Sequence, residues 1–243
     1  MGLRAEYERR YECAGDDAVR AGHWRGLGAR RKADHVVELL HALSYPPESV
    51  LEVGCGDGAL LSALAARGVG IRREGVDISE RAVALAASRP EIDRVWRFDG
   101  EVLPTPDGAY DLGVLSHVLE HVPDPLPLLQ EVARACRSVV VEVPLEDNRS
   151  ASRASAERVR RELGHLHRFS RADVRALAHR SGLKLVGELA DPLPAAVHTF
   201  WAEGYVQRSL GLAKAGVRRT LFTLAPGLAE RAFTLHYACL LVR

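Results

Sequence analysis

Three glycines at alternate positions, Gly54, Gly56 and Gly58, stand between an apolar run that contains Glu52 and a stretch rich in Ala and Leu. The pattern predicts a buried strand that turns directly into a helix. Glycines suit this turn because they adopt positive φ and because the missing Cβ lets a ligand approach the backbone. The first amide groups of the helix would face that ligand, so the loop predicts a site for a nucleotide-like molecule.

An acidic residue, Asp77, ends the next predicted strand. It follows the loop by about 20 residues, the spacing at which an acid binds the ribose hydroxyls of a bound dinucleotide. The loop itself fits two patterns. As G-x-G-x-x-A it matches the dinucleotide fingerprint, in which the helix N-terminus takes a pyrophosphate. As E-x-G-x-G-x-G it resembles motif I of the class I S-adenosylmethionine-dependent methyltransferases. Both patterns expect an acid that binds a ribose, so Asp77 predicts a ribose without distinguishing between the two cofactors.

Three further motifs follow in order, at 98–104 (FDGEVLP), 106–111 (PDGAYD) and 115–122 (LSHVLEHV). Together with the E-x-G-x-G-x-G loop they resemble the successive motifs of the class I S-adenosylmethionine-dependent methyltransferases, over roughly residues 50–189. Within that superfamily the chain is most similar to the small single-domain enzymes that act on metabolites and natural-product intermediates. The resemblance implies S-adenosyl-L-methionine as the cofactor and a small molecule as the substrate.

The resemblance also assigns roles at the predicted cofactor site. Asp77 would accept hydrogen bonds from both ribose hydroxyls, Asp99 would accept one from the adenine amino group, and Glu52 would orient the loop or meet the ammonium group. For Asp99 the alternative is a turn residue that bonds to its own backbone. The whole implied cofactor-binding set is Glu52, Gly54, Cys55, Gly56, Asp77, Ile78, Asp99, Gly100, Glu101 and Ser116.

Two histidines, His117 and His121, follow the strand predicted at 110–115, where the family places residues that flank the methyl group. Methyl transfer needs mainly proximity, orientation and desolvation, and it needs a base only if the acceptor must lose a proton. An imidazole with a pKa of about 6.5 can be that base. Both are therefore candidate catalytic residues, although the LEHV stretch around His121 often has a structural role in similar proteins.

Four residues are candidates for contact with the substrate: Tyr11, His165, His167 and Trp201. The two histidines are two positions apart and would share one side of an extended segment. A metal site normally needs three or four ligands, so this pair does not suggest one, and no metal is predicted.

Alternating strand and helix patterns must position these residues. They predict strands at 71–77, 94–98, 110–115, 138–143, 184–189 and 234–242 besides the one before the loop, and helices at 32–43, 59–67, 80–88, 126–135 and 171–181. Such alternation implies a parallel sheet with right-handed crossovers. We therefore expect a doubly wound, Rossmann-like, seven-stranded and mostly parallel sheet with helices on both faces. In the family that the chain resembles, the last strand enters antiparallel, which gives an antiparallel edge strand.

The chain has 243 residues and is expected to form a single domain. We divide it into an N-terminal helical arm (1–45), a cofactor-binding core (46–191), an inserted helical segment (192–231) and the last strand (232–243). The arm either folds over the ligands or packs its aromatic residues on the core. The inserted segment is either a lid that forms a wall of the substrate site or a homodimer contact.

Bulk properties limit the partners. The formal net charge is +1, which gives no electrostatic footprint for nucleic acid. The four cysteines, Cys13, Cys55, Cys136 and Cys239, contain no C-x-x-C pair and are expected to be buried thiols. The N-terminus is charged and no apolar run approaches a membrane span, so we expect a cytoplasmic protein without a membrane partner.

Three alternatives to a small-molecule methyltransferase follow from the same residues. An NAD(P)-binding oxidoreductase would use the same loop. A methyltransferase acting on RNA or protein would keep the cofactor, but the neutral charge and the lack of an Asn-Pro-Pro-Tyr-type motif after the fourth strand argue against it. A module without enzymatic activity could bind the nucleoside and regulate a partner.

Overall fold

The computed structural model describes residues 7–9, 11–12 and 15–243. The strands are β1 (Ser49–Val53), β2 (Arg72–Asp77), β3 (Arg94–Arg97), β4 (Tyr110–Ser116), β5 (Cys136–Leu145), β6 (Lys184–Asp191) and β7 (Leu235–Val242). They form one seven-stranded sheet in the order β3-β2-β1-β4-β5-β7-β6. The first five strands pair in parallel, so their carboxyl ends meet at one edge of the sheet. The doubly wound, mostly parallel sheet predicted from the sequence is confirmed.

The antiparallel pairing expected at the edge is also present. β6 is the edge strand, and it pairs antiparallel with β7. The strand that runs against the others is β7, which lies one place in from the edge and also pairs antiparallel with β5. The amino end of β7 therefore lies beside the carboxyl end of β5, and Pro144 is opposite His236.

The helices are α1 (Gly15–Leu40), α2 (Ala59–Ala65), α3 (Glu80–Ala87), α4 (Pro125–Ala135), α5 (Ala154–Glu162), α6 (Arg171–Arg180), α7 (Ala195–Thr199), α8 (Gly204–Leu224) and α9 (Pro226–Ala232), with a 3₁₀ turn at Leu119–His121. Buried residues of α1, α2 and α3 pack on one face of the sheet and those of α4 and α6 on the other. The two-layer cover buries the β-branched strand residues on both faces, as parallel sheets require.

Helix α1 is longer than the sequence suggested. The apolar stripe predicted a start near residue 32, but the helix begins at Gly15 and runs for 26 residues. Asp16 and Asp17 lie in its first turn, where their negative charges interact favourably with the helix dipole. Only its second half carries the buried stripe, from Ala29 to Leu39, which is why hydrophobic periodicity missed the first half. Residues 1–6, 10 and 13–14 of the arm, with Cys13, lie outside the described residues.

The inserted helical segment 192–231 contains α7, α8 and all but the last residue of α9. α7 packs against α8 and also meets α1. The position of Gly211 on α8 is close to the backbone of α7, since a Cβ there would lie 2.7 Å from the carbonyl oxygen of His198. Over the residues that the structure describes, no helix combines the length and the apolar character that crossing a bilayer would require.

Candidate active site

A cavity of about 610 Å³ lies at the carboxyl ends of the parallel strands, between the glycine loop and α1. This is where ligands bind in open α/β sheets. Its wall brings together residues from the loop, from the ends of β1, β2 and β4, from α1 and from the start of β7. Of the sequence-predicted site residues, those that line it are Tyr11, Glu52, Gly54, Cys55, Gly56, Asp77, Ile78, Asp99, Gly100, Ser116, His117 and His121.

The glycine loop is held against the end of β2. The backbone N–H groups of Gly54 and Cys55 both donate to the carbonyl oxygen of Val76, at 2.8 and 2.9 Å. All three loop glycines have positive φ. A Cβ on Gly56 would lie 2.7 Å from the hydroxyl oxygen of Tyr11. The loop therefore needs glycine both for its backbone conformation and for the close approach of the N-terminal arm.

Asp77 joins β2 to the loop. Its carboxylate accepts hydrogen bonds from the backbone N–H of Gly56 at 2.8 Å and from that of Ser79 at 2.9 Å. Burial raises the pKa of Asp77, while these two backbone bonds work in the opposite direction. The side chain is 6% exposed and lines the cavity. A buried carboxylate at the end of the second strand is what a ribose-binding acid requires.

Glu52 is the most deeply buried acid of the loop region, at 3% exposure. No hydrogen-bond partner among the described residues reaches its Oε2 atom. Burial raises the pKa of Glu52 well above its usual range, and Lys32 on α1 partly offsets this effect. A buried acceptor without a partner is costly unless a ligand satisfies it. Glu52 is therefore placed to receive a donor from a ligand in the cavity.

Two basic residues that the sequence analysis did not single out contact Asp57 in the glycine loop. Arg25 on α1 donates from Nε to Asp57 Oδ2 at 2.7 Å, and its guanidinium lies 5.3 Å from the ring centre of Tyr11. Arg89 reaches the same Asp57 carboxylate at 3.5 Å. These contacts fasten the arm to the turn, so α1 forms part of the cavity wall.

The residues after β3 supply a more exposed part of the site. Asp99 and Gly100 line the cavity, while Glu101 is exposed and lies outside the lining. The backbone N–H of Glu101 donates to Asp99 Oδ1 at 3.1 Å, which is the turn contact foreseen as the alternative role of Asp99. Ser116, at the end of β4, is buried and its Oγ has no partner among the described residues.

The far end of the cavity contains two histidines beside a carboxylate. His117, after β4, and His236, at the start of β7, approach to 3.3 Å between Nε2 and Nδ1. His236 Nδ1 lies 3.1 Å from Glu142 Oε1, and His117 Nε2 lies 3.7 Å from the same oxygen. Both imidazoles line the cavity, whereas Glu142 on β5 is 1% exposed.

Buried acids and bases continue this cluster into the protein. His117 Nδ1 lies 3.0 Å from Glu120 Oε1. Behind Glu142, His35 Nδ1 lies 3.4 Å from Oε2, and His35 Nε2 lies 3.2 Å from Asp191 Oδ2. Asp191 is the last residue of β6, so the network links four strands to α1.

The network sets the charge states of its members. Burial lowers the pKa of His236 to about 4, reinforced by the charge of His117. Burial alone would raise the pKa of Glu142, but its hydrogen bonds to three histidines hold it well below the usual range. For His35 burial opposes the charged form, yet its bonds to Asp191 and Glu142 raise the pKa to about 9. At neutral pH this leaves Glu142 ionised and His236 neutral.

His121 has a different setting from His117. Its Nδ1 lies 3.2 Å from the carbonyl oxygen of Gly164, so Nδ1 is the donor of that bond. Its ring packs edge-on against Tyr7 at 5.7 Å and against His165 at 4.7 Å. His165 Nδ1 in turn contacts Glu146 Oε2 at 2.9 Å. These contacts favour a structural role for His121.

The remaining three substrate candidates, His165, His167 and Trp201, lie outside the cavity lining. His167 donates from Nε2 to the carbonyl oxygen of Val122 at 2.8 Å and stacks on Phe169. Trp201 is 51% exposed and packs against Trp24, with Arg20 over its ring. Trp24 rather than Trp201 lines the cavity.

Besides Arg25 and Arg89, the sequence analysis also missed Lys32, Glu142 and His236 at the site. Glu142 is a lone acid in a run of buried valines, and that isolation was the available signal. Neither Lys32 nor His236 has a comparable signal, because their proximity to the loop depends on how α1 and β7 pack.

The sequence model of a family described as "Methyltransferase domain" matches residues 23–188 of the chain. Ubiquinone biosynthesis O-methyltransferase from Nitrosomonas europaea is 33% identical over 132 residues, which cover 49% of this chain and 54% of that protein. The chain spans about half the length of the curated relatives it matches.

Solved structures share the whole fold. Geranyl diphosphate C-methyltransferase from Streptomyces coelicolor superposes with a TM-score of 0.66 and 14% identity, covering 100% of this chain and 98% of that one. Phospholethanolamine N-methyltransferase 2 from Haemonchus contortus gives a TM-score of 0.67 at 14% identity, covering 100% and 61%. At this identity the likeness is one of fold. Family match and fold agree: the chain belongs to the methyltransferase domain family, as the class I motifs of its sequence predicted.

Proposed function

We propose that this protein transfers a methyl group from S-adenosyl-L-methionine to a small molecule. The observation that carries the proposal is the arrangement of the cavity, which has a nucleoside-type end at Asp77 and a polar, histidine-lined end at His117 and His236. One cavity thus has places for a cofactor and for an acceptor next to it. The methyltransferase family match supports the same reaction class.

The residues at the first end suit this cofactor. Asp77 would hold the ribose hydroxyls, Asp99 the adenine amino group, and Gly54 and Gly56 the amino-acid end. The partnerless Oε2 of Glu52 supports a contact with the ammonium group, because it is a buried acceptor that awaits a donor. When bound, the cofactor supplies a methyl group on a sulfonium whose sulfur leaves with the bonding electrons.

The protein positions the two reactants, removes water from around them and assists the loss of the acceptor's proton. The walls of the cavity exclude water and hold the two reactants in line, which is the main source of rate in a displacement of this kind. His117 lines the acceptor end of the cavity and assists the loss of the acceptor's proton. Its Nδ1 lies 3.0 Å from Glu120 Oε1, and Nε2 is the nitrogen turned toward the cluster.

A small acceptor is favoured by the shape of the site. Leu193 and Val197, from the start of segment 192–231, line the cavity together with Trp24. These apolar side chains support the interpretation of this segment as a substrate wall. The relatives named for ubiquinone biosynthesis support an O-methyl acceptor over an N- or C-methyl acceptor.

Calorimetry tests the cofactor directly. We expect the purified chain to bind S-adenosylmethionine and S-adenosylhomocysteine and to show no heat with NAD. A labelled methyl donor then identifies the acceptor from a panel of hydroxylated, amine and activated-methylene compounds, with RNA and whole protein as comparison substrates. Binding of NAD alone would select the oxidoreductase, and methylation of RNA or protein alone would overturn the small-molecule assignment.

A further inference from the structure

Three potential ligand atoms at the acceptor end converge on one point. His117 Nε2, His236 Nδ1 and Glu142 Oε1 form a triangle with edges of 3.3, 3.1 and 3.7 Å. A point close to the plane of this triangle lies about 2 Å from all three atoms. Typical zinc bonds to imidazole nitrogen and carboxylate oxygen measure about 2.0–2.2 Å. The three side chains therefore have the spacing of a metal-binding triad without rearrangement.

Two of the three side chains, His117 and Glu142, also have a neighbour at their outer atom, as metal ligands usually do. A metal-bound histidine normally gives its second ring nitrogen to a carboxylate or carbonyl, which fixes the tautomer and the ring orientation. His117 Nδ1 has Glu120 at 3.0 Å. The second oxygen of Glu142 has His35 at 3.4 Å. Glu120 is 0% exposed and Glu142 1%, so both carboxylates are held inside the protein beside the histidines.

The triad is open on one side only. His117 and His236 are 20% and 18% exposed in their side chains, and both line the cavity. Glu142 closes the other side from within the sheet. Catalytic metal sites typically have three protein ligands and one open position that faces the substrate cavity.

We propose that His117, Glu142 and His236 bind one divalent first-row transition-metal ion, and that its open position takes a hydroxyl oxygen of the methyl acceptor. Two imidazoles and one carboxylate favour zinc or iron(II) over magnesium, which prefers all-oxygen ligands. The metal site rests on geometry alone. The role toward the acceptor rests in addition on the proposed function, and it narrows the acceptor to compounds with an ionisable hydroxyl group.

The chemistry balances without a further reactant. Coordination to a divalent metal lowers the pKa of a bound hydroxyl, so its proton passes to solvent before methyl transfer. The oxygen then forms the new O–C bond while the C–S bond of the donor breaks and sulfur retains the electron pair.

A second cluster nearby, Glu120, His121 and His165, also brings three possible ligand atoms together. Its histidines are held through Nδ1 in the same way, His121 by the carbonyl oxygen of Gly164 and His165 by Glu146. Of its three residues only His121 lines the cavity, whereas two of the three ligands of the proposed site do. It therefore serves as the internal control for the proposal.

The test is zinc binding by the full chain carrying no polyhistidine tag. The protein is stripped with a chelator, and Zn²⁺ alone is titrated by calorimetry, with the absorption spectrum of the Co²⁺ form as a second readout. We expect one ion per chain. His236→Gln and the milder Glu142→Gln should each weaken Zn²⁺ binding by about 100-fold or more, because each removes one of three ligands. His165→Gln in the second cluster and the exposed His179→Gln should change it less than about 3-fold.

Three results would overturn the metal site: no stoichiometric Zn²⁺ binding, loss of binding in His165→Gln with retention in His236→Gln, or equal affinity in all variants. Far-UV circular dichroism of the same samples reports folding, and binding of S-adenosylhomocysteine tests the proposed function separately. Zinc binding without S-adenosylhomocysteine binding refutes the methyltransferase role and leaves the metal site standing. The reverse result refutes the metal site and leaves the methyltransferase role standing. Restoration of methyl transfer by Zn²⁺ for amines but not for hydroxylated acceptors would overturn the role assigned to the ion.

Discussion

The backbone N–H of His117 donates to the carbonyl oxygen of Glu142 at 2.8 Å, so these two residues are joined through the main chain as well as through their side chains. His117 adopts φ 60°, a conformation that non-glycine residues rarely take. Such strain persists where the surroundings enforce it, often at functional sites. Here it turns the imidazole from the end of β4 toward Glu142 and His236.

We expect His117→Asn to lower kcat/KM by about 100-fold, the order of effect expected for a group that assists loss of the acceptor's proton. Asparagine tolerates positive φ, so the backbone bond to Glu142 should survive. The affinity for S-adenosylhomocysteine should change less than about 3-fold, because His117 lies at the opposite end of the cavity from Asp77. Comparable losses of cofactor affinity and turnover would assign His117 a structural role instead.

Asp77→Ala should weaken S-adenosylhomocysteine binding by more than about 100-fold, since it removes a buried carboxylate and frees two loop amides. Asp77→Asn keeps an acceptor oxygen for Gly56 and should retain the fold while still binding poorly. Glu91→Gln, at an exposed position, is the matched control. Calorimetry decides: unchanged affinity in Asp77→Ala would remove this residue from the cofactor site.

Gly56→Ala should destabilise the protein and weaken cofactor binding, because alanine resists φ +56° and its Cβ would lie 2.7 Å from the Tyr11 hydroxyl. The conformational part alone costs about 1 kcal/mol. Adding Tyr11→Phe removes the contacting oxygen and should recover part of the loss, but not the part due to φ. Thermal unfolding of the single and double variants measures this. Additive effects would mean that Tyr11 does not pack on the loop.

The carboxylate of Glu188 gives a pH-dependent contribution to stability. Its hydrogen bond to Arg175, joined by Tyr237 and Arg171 and opposed by burial, lowers the pKa of Glu188 to about 2. Because the folded pKa lies below the unfolded value of about 4.3, the stabilisation is present above that value and is lost as pH falls toward 2. After discounting for the exposed arginines, we expect Glu188→Gln to cost about 1–2 kcal/mol at pH 7.

Denaturant unfolding of the unsubstituted protein and of Glu188→Gln between pH 7 and pH 2 checks the predicted contribution of this carboxylate. The difference in unfolding free energy should shrink across the lower half of that range and vanish near its end. A difference that stays constant with pH would mean that the loss comes from packing and not from charge.

Two glycines of α8 should respond oppositely to alanine. A Cβ on Gly211 would lie 2.7 Å from the carbonyl oxygen of His198, and backbone cannot easily move away. Gly211→Ala should therefore destabilise the protein by about 1–3 kcal/mol, as overpacking does. Gly216 has nothing within 4 Å, so Gly216→Ala should stabilise the helix by up to about 1 kcal/mol. Equal shifts in Tm would contradict the packing of α7 on α8.

The parts of this structure that follow from local sequence were predictable. The strand, loop and helix around Gly54, and the acids Asp77 and Asp99 at strand ends, depend only on short patterns and on the rule that parallel strands end at one edge. The cluster of Glu142 and His236 was not predictable in this way. These residues meet because β7 enters beside β5 in one particular antiparallel register, a long-range choice that no local pattern encodes.

The order of the last strands constrains how this chain can assemble during synthesis. Among the strands that the structure describes, β6 pairs with β7 alone, and β7 is made after the helices α7, α8 and α9. Until β7 emerges, β5 has one bare side and β6 has no sheet to join, so two unpaired strand edges are open to other chains. β7 also delivers His236, so the step that seals the sheet is the one that completes the acceptor end of the site. A nascent or truncated chain without β7 could form the glycine loop and the ends of β1, β2 and β4, yet would lack the chemistry at the other end of the cavity.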